Sequence, residues 1–410
     1  MYAREVPLYQ TLLDVCAETN AAHPAGVGRA MQRIGAERHG AIRLGSMDEA
    51  ALIGRLFALV GMFPVGLYDL RDTSQASLPI VATAFRPVDH TDMERSAFRM
   101  FTSVLVPSDR RFFDAQMAAE IERRVGRRTL LGPQLMERIQ RAEARGGAPV
   151  ADADVCVAEC VDALRVDASP IDLDWNRALG AVSPVAADVA GAPSTHLNHL
   201  TPRVFDIDAT ADALTSRGVE MIERIQGPPR WDGPPVLLRQ TSFRALDEKR
   251  HALDGSGSAT METVRVRFGE IEQRGVAPTP AGRAIIDRLI AEGRPLGDEL
   301  PASLFELARQ DLVHVAVERT ADGRGRDPWN QIEAGAVQIT PVTYEDFLPA
   351  SATGIFASNL AHEGRRSPSG STDRDAPRAL ANAVGGVADP ADLAARRQRS
   401  AWNDVFLADR

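Results

Sequence analysis

The chain has 410 residues, of which 44% are hydrophobic and 25% are charged, a composition that excludes a disordered protein. Its 47 basic and 56 acidic side chains give a net charge of -9, which excludes a general attraction to nucleic acid or to an anionic membrane. Three cysteines are too few for a disulfide framework, and no apolar run is long enough to span a bilayer. We therefore expect a soluble cytoplasmic protein without a signal peptide.

The first third of the chain predicts a helical segment followed by a strand–helix–strands unit. Residues 1–36 form the helical segment, and residues 37–108 form a βαβββ module. Ser46 and Glu49 make a capping box that starts the helix of this module. Its expected elements are, in order, a strand at 38–45, a helix at 50–60 and strands at 66–70, 80–85 and 101–106.

A second part of the chain repeats this order. The pair His199 and Arg203 has the same spacing as His39 and Arg43, and Asp206 follows its histidine by the seven residues that separate Ser46 from His39. In addition, residues 241–247 match 83–89 at nearly the same distance from the histidine. We interpret this as a duplication, with a second βαβββ module at 191–290. Two similar strands in one irregular sheet are the alternative.

The remaining segments complete the predicted architecture. Residues 109–190 are expected to be a helical insertion, and 291–410 an extension of helices and strands that closes the site. The smaller expected elements are a connector rich in Ala, Pro and Gly at 184–194, a helix at 279–293, a strand at 312–319, a polar surface loop at 363–377 and a closing helix at 391–407. The predicted fold class is α+β, with duplicated βαβββ modules that form a curved mixed sheet around a metal site.

Two histidines and one glutamate are the candidate metal ligands. The repeat places His39 and His199 at equivalent points, so their imidazoles converge if the modules pair about a pseudo-twofold axis. Glu270 is the third candidate, because a carboxylate that points into a sheet cavity is costly unless it is paired or bound to metal. Two histidines and one carboxylate form the facial triad of ferrous oxygenases. The alternatives are Glu272 in place of Glu270, His196 in place of His199, and a salt-bridged Glu270 without metal.

The two copies differ at one ligand position. Aligning Phe101 with Phe268 places Ser103 where the second copy has Glu270. A symmetric site would have two glutamates, and the serine leaves room for a chelating substrate and oxygen.

Arg43 is the candidate substrate ligand. It follows His39 by four residues, which on a strand is the same face and roughly 13 Å away. From there its guanidinium can hold one acid group of a small dicarboxylate, while the other end binds the metal. The alternative is a surface-paired arginine. Arg203 is its equivalent in the second copy, but Pro202 makes its direction uncertain.

Several long segments resemble the 2-oxoadipate dioxygenase/decarboxylase family of the vicinal oxygen chelate superfamily. They are residues 38–45, 196–203, 237–244, 267–274 and 344–356. The resemblance covers most of the chain and implies ferrous iron held by His39, His199 and Glu270, with Arg43 as the substrate-binding arginine. It also implies substrate contacts at Ala350 and Ser351, although a bulkier aliphatic residue is expected at Ala350. The likeness of the 267–274 segment to the last ligand strand of 4-hydroxyphenylpyruvate dioxygenase favours Glu270 over Glu272.

The resemblance implies conversion of 2-oxoadipate and O2 to 2-hydroxyglutarate and CO2 in lysine breakdown, with both oxygen atoms entering one substrate. Two other functions remain open. One is a different metal enzyme of the same fold, either a glyoxalase-type isomerase, which normally needs the fourth ligand that Ser103 does not supply, or a ring-cleaving dioxygenase. The other is a non-enzymatic protein that binds a small ligand and has no convergent metal ligands. The oligomeric state is not predicted.

Overall fold

The computed structural model describes residues 1–26, 28–73, 76–95, 98–265, 268–321, 327–360 and 371–407. The chain divides into two compact units. The first consists of Met1–Ile225, Thr241–Ile271 and Pro349–Val387, and the second of Gln226–Gln240, Glu272–Leu348 and Ala388–Arg410. The predicted bounds of the five sequence segments stay a prediction.

The described part of the chain combines helices with mixed and antiparallel sheets, so the predicted α+β class is confirmed. The helices are α1 (Tyr2–Glu5), α2 (Leu8–Ala22), α3 (Gly28–Ala36), α4 (Met47–Ala58), α5 (His90–Arg95), α6 (Ala115–Val125), α7 (Pro133–Arg145), α8 (Ala153–Ala163), α9 (Leu173–Val182), α10 (Pro184–Ala190), α11 (Ile207–Ser216), α12 (Pro280–Glu292), α13 (Leu304–Arg309), α14 (Pro328–Glu333), α15 (Pro349–Leu360), α16 (Ala376–Ala383) and α17 (Pro390–Phe406). The strands are β1 (Arg38–Leu44), β2 (Phe63–Asp69), β3 (Ile80–Arg86), β4 (Phe98–Leu105), β5 (Ile171–Asp172), β6 (Leu197–Pro202), β7 (Leu238–Ser242), β8 (Asp247–Leu253), β9 (Ala259–Arg265), β10 (Glu270–Arg274), β11 (Val315–Arg319) and β12 (Val337–Pro341).

The first module runs from β1 through α4 to β2, β3 and β4, which is the predicted βαβββ order with one short helix, α5, added between β3 and β4. Its helix begins at the predicted capping box. The Ser46 hydroxyl accepts a hydrogen bond from the Glu49 amide at 3.2 Å, and the Glu49 carboxylate accepts one from the Gly45 amide at 2.6 Å. The strands form a five-stranded sheet in the order β2-β3-β4-β1-β6, in which β1 and β4 are parallel and the other neighbours are antiparallel.

The second copy differs from this order in two ways: one hairpin is inserted, and the described residues contain no strand equivalent to β2. It runs from β6 through α11 to β7 and β10, and Asp206 caps α11 by accepting a hydrogen bond from the Ala209 amide at 3.0 Å. The antiparallel hairpin of β8 and β9 is inserted before β10 and joins β5 in a separate sheet. Where the first copy has β2, the described part of the second copy has an isolated bridge between Met221 and Phe243.

The five-stranded sheet has a covered face and a face that carries the candidate site. Phe85 of β3 lies opposite Met100 of β4, and the rings of Phe57 and Phe85 lie 5.1 Å apart, so α4 packs on the face of Phe85. Gly40 lies on this same face beside Met100, because the space of its missing Cβ is filled by the Met100 side chain. Side chains alternate along a strand, so His39 points to the opposite face.

The prediction of a connector at 184–194 is wrong for residues 184–190, because they form α10. The Ser183 hydroxyl accepts a hydrogen bond from the Val185 amide, and Pro184 stands at the first position of the helix. Serine before proline is a helix start, and here it outweighs the Ala/Pro/Gly composition.

Part of the expected loop at 363–377 lies outside the described residues, namely 363–370. Its last two residues begin α16, so the loop prediction is wrong there. The predictions of a helix at 279–293 and at 391–407 are confirmed by α12 and α17. In the described part of the chain, no helix is both long enough and apolar enough to cross a membrane.

Candidate metal centre

His39 and His199 come from the two copies of the repeat and meet across neighbouring strands. In the antiparallel pair of β1 and β6, His39 lies opposite Thr201, and His199 lies opposite Ala41. The two histidines are therefore diagonal neighbours on one face, at a separation that side chains of this size bridge. Their ring centroids lie 5.4 Å apart.

Glu270, the first residue of β10, completes the group. One carboxylate oxygen lies 3.4 Å from His39 Nε2, and the other lies 3.4 Å from His199 Nδ1. All three side chains are buried, and one ligand atom from each lies within 4.8 Å of the others. Two ligand atoms that are each about 2 Å from one ion lie about 3 to 4 Å apart, and the two distances of 3.4 Å from Glu270 to the histidines lie in this range.

Contacts from outside the group fix the two strands that carry His199 and Glu270. The Tyr2 hydroxyl donates to the carbonyl oxygens of Asn198 and Phe268, each at 3.1 Å. The Phe268 ring lies 5.5 Å from the His199 ring. The Thr201 hydroxyl lies 3.4 Å from the Glu270 carboxylate. The N-terminal helix thus ties the ligand strands together.

Arg43 lies on the same face of β1 as His39, because the two residues are four positions apart. It is 3% exposed and forms an ion pair with Asp188 of α10. Asn198 Nδ2 donates to the same Asp188 oxygen at 3.0 Å. Burial alone would raise the pKa of Asp188, but the charges of Arg43 and His196 and the hydrogen bonds outweigh burial and lower that pKa. The alternative of a surface-paired arginine is therefore wrong, because the pair is buried.

The sequence profile of the 2-oxoadipate dioxygenase/decarboxylase family matches residues 1–359 of this chain. The chain belongs to that family. Curated family members include proteins of Mycobacterium bovis, 46% identical over 89% of this chain and 85% of the relative, and of Escherichia coli, 39% identical over 92% and 89%. Both relatives are named 2-oxoadipate dioxygenase/decarboxylase. The family consists of oxygenase enzymes, so this chain is an enzyme.

Two solved structures match nearly the whole of this chain. The hydroxyglutarate synthase of Pseudomonas putida in complex with 2-oxoadipate matches with a TM-score of 0.83 and 33% identity, over 100% of this chain and 95% of that chain. An uncharacterized protein of Shigella flexneri matches with a TM-score of 0.84 and 34% identity, over 98% of this chain and 95% of that chain.

The two alternative ligands that the sequence offers lie outside the group of His39, His199 and Glu270. Glu272 is fully buried, but its carboxylate lies 2.7 Å from Arg274 Nε, and Arg274 also pairs with Glu345 at 2.7 Å. His196 Nε2 lies 3.5 Å from Asp188. Neither Glu272 nor His196 belongs to the group of metal-type ligands found among the described residues.

Strand β4 adds two polar residues to the face of the candidate site. In its parallel pairing with β1, Arg99 lies beside His39 and Ser103 lies beside Arg43. Arg99 is fully buried. Ser103 is predicted from the sequence as part of the site, whereas Arg99 and Asp188 are not. The only available signal for Asp188 is that it is the single charged residue in 184–194.

The remaining residues predicted near the substrate are Ala350, Ser351 and Arg203. Ala350 and Ser351 lie in the first turn of α15, where Pro349 begins a helix, and Ser351 is buried. Arg203 Nη1 pairs with Glu37 at 2.7 Å. A substrate contact at Ala350 or Ser351 stays a prediction.

Proposed function

We propose that this chain uses ferrous iron to convert 2-oxoadipate and O2 into 2-hydroxyglutarate and CO2. The observation that carries the proposal is the buried group of His39, His199 and Glu270 in a chain of this family. The P. putida hydroxyglutarate synthase that matches this chain was crystallised with 2-oxoadipate, which supports the same substrate here. The reaction balances, because 2-oxoadipate and O2 together contain the same atoms as 2-hydroxyglutarate and CO2.

His39, His199 and Glu270 would hold the iron. Two neutral imidazoles and one carboxylate are the donor set that suits ferrous iron and leaves positions open. When bound, the iron supplies those open positions to a chelating 2-oxo acid and to O2, together with redox chemistry.

Arg43 would bind the acid group of the substrate that does not chelate the metal. Its guanidinium offers a planar fork that pairs with a carboxylate through two charge-assisted hydrogen bonds. Because Arg43 is 3% exposed, such a pair forms away from bulk water, where electrostatic attraction is stronger. In this proposal, the substrate is oriented by Arg43 on the same sheet face that carries the metal ligands.

Two observations favour this reaction over a glyoxalase-type isomerase and over a protein that only binds a small ligand. A glyoxalase-type isomerase normally needs a fourth ligand, and Ser103 lies beside Arg43 and outside the ligand group. A protein that only sequesters a ligand has no need of convergent metal ligands, and three converge here.

The test is oxygen uptake by protein that has been loaded anaerobically with Fe(II) and then given 2-oxoadipate. We expect uptake matched one-to-one by CO2 release and absent in His199→Ala. Bound iron without oxygen uptake would refute 2-oxoadipate as the substrate. Absence of iron binding would refute the proposed metal site. Arg43→Ala should keep iron and lose mainly substrate affinity, and Arg43→Lys should not restore it, because an ammonium lacks the planar fork.

The wider setting follows from the same proposal. We place the reaction in lysine breakdown because the family resemblance implies it, and in the cytoplasm because the three cysteines are free thiols. Both placements are tested by following 2-oxoadipate and the enzyme in fractionated cells of the source organism.

A further inference from the structure

Asp188 is the centre of a buried polar cluster that also contains Arg43, His196 and Asn198. Its carboxylate pairs with Arg43, accepts a hydrogen bond from Asn198 at 3.0 Å and lies 3.5 Å from His196 Nε2. All four residues are less than 10% exposed. The cluster is distinct from the metal ligands, but Arg43 belongs to both the cluster and the proposed substrate site.

The register of β1 and β6 places this cluster on the same sheet face as the metal ligands. Ile42 pairs with Leu197, and the Thr195 hydroxyl donates to the Arg43 carbonyl at 2.7 Å, so Arg43 and His196 lie side by side. The register shifts between Ala41 and Ile42. A shift of this kind leaves one strand with an extra residue, which re-aims its side chain. This brings Asn198 into the cluster, although it directly precedes His199.

Asp188 is a buried residue whose carboxylate is held by polar partners. It lies on α10, whose start is fixed by the Ser183 cap and by Pro184. Asp188 also borders a cavity of about 300 Å³ that His196 and Arg250 line as well. The hydrogen bond from Asn198 and the ion pair with Arg43 therefore fix the carboxylate where packing does not.

We infer that Asp188 is the positioning residue of Arg43: it holds the guanidinium in the orientation that binds the second carboxylate of a 2-oxo dicarboxylic acid. A long arginine side chain has many rotamers, and ordering it costs free energy that a fixed carboxylate partner removes in advance. The inference rests on the proposed function, because it concerns selection between a diacid and a monoacid at that site.

A merely structural ion pair would stabilise the fold without affecting substrate selection. The described part of the chain offers a matched control, Asp109, which is fully buried and pairs with Arg71 at 2.9 Å and with Arg111 at 2.8 Å. Asp109→Asn and Asp188→Asn both remove one buried carboxylate from an arginine. Only the second removes it from Arg43.

The experiment is anaerobic calorimetry of Fe(II)-loaded protein with 2-oxoadipate and with 2-oxohexanoate, which lacks the second carboxylate. We expect Asp188→Asn to raise the Kd of 2-oxoadipate about 10- to 100-fold, the range seen when an orienting partner is removed. The Kd of 2-oxohexanoate and the bound iron should not change. Asp109→Asn should lower the thermal midpoint and leave both Kd values unchanged.

A double variant tests whether the effect passes through Arg43. In Arg43→Ala protein, adding Asp188→Asn should change the Kd of 2-oxoadipate no further, because the group it positions is gone. Asp188→Glu keeps the charge but moves it by one methylene, and it replaces Asp188→Asn if that variant does not fold. For Asp188→Glu we expect weaker binding of the diacid alone.

Three results would overturn the inference in distinguishable ways. An unchanged Kd of 2-oxoadipate in Asp188→Asn would make Asp188 purely structural. A lower Kd would mean that Asp188 competes with the substrate for Arg43. Wild-type protein that holds iron but binds no 2-oxoadipate would overturn the proposed function first, and the inference with it.

Discussion

The imidazole rings of His39 and His199 lie 5.4 Å apart, although each histidine belongs to a different copy of the repeat. They meet because antiparallel pairing of equivalent strands places equivalent residues as diagonal neighbours. The internal symmetry of the sequence thus produces one site instead of two half-sites.

Removing one imidazole should abolish metal binding. In His199→Ala we expect the affinity for Fe(II) to fall below detection in an anaerobic titration, because only His39 and Glu270 remain of a three-ligand group. The fold should persist, because the helices and strands do not depend on this side chain. Circular dichroism checks that they are retained. Retention of stoichiometric iron by His199→Ala would contradict the ligand assignment.

The two buried glutamates of β10 should respond differently to loss of charge. Glu270→Gln should lower the metal affinity about 10- to 100-fold, because the amide is a poorer ligand than the carboxylate. Glu272→Gln should keep the metal but lower the free energy of unfolding by about 3 kcal/mol, because it removes one of the two carboxylates paired with the fully buried Arg274. Iron titration and urea denaturation of both variants measure the difference, and exchanged results would identify Glu272 as the ligand.

Gly269 should not tolerate a side chain. A Cβ at this position would lie 2.1 Å from Cε1 of Phe243, which is 1% exposed, so the ring or the backbone has to move. We expect Gly269→Ala to lower the free energy of unfolding by about 1 to 3 kcal/mol. Because Glu270 is the next residue, the same movement should weaken metal binding. Phe243→Leu should restore part of both losses if the clash is the cause.

Acid should destabilise the fold through the carboxylates around Arg71 and Arg111. Burial raises the pKa of Asp109, but hydrogen bonds from Arg111 and the charges of Arg111 and Arg71 outweigh burial and hold that pKa below its ordinary value. The same balance, led by Arg71, lowers the pKa of Asp69. The stabilisation is therefore complete above the unfolded pKa of about 4 and is lost as the pH falls through the lower folded value.

Urea denaturation at pH 7, 5 and 3.5 measures this effect. The free energy of unfolding of the wild type should fall with acid more steeply than that of Asp109→Asn, which has already lost one carboxylate. At pH 7 the variant should be less stable by about 3 kcal/mol, because Arg71, one of the two arginines paired with Asp109, is buried. Equal slopes in the two proteins would contradict the coupling.

Local patterns in the sequence determined much of the fold. The capping boxes and caps at Ser46 and Asp206 mark helix starts, because those side chains bond backbone amides only a few residues away. The repeat and the spacing of His39 and His199 likewise follow from local order. Such features depend on neighbours along the chain and can be read without the fold.

The tertiary structure decided which candidates meet. From the sequence, Glu270 and Glu272 share one strand face, and His196 competes with His199, so only strand register and partners separate them. A slip of one residue turns every side chain to the other face, and the register shift beside Ala41 is not visible in the sequence. Asp188 reaches Arg43 from a distant helix, because burial of a guanidinium requires a charged partner from wherever the fold supplies one.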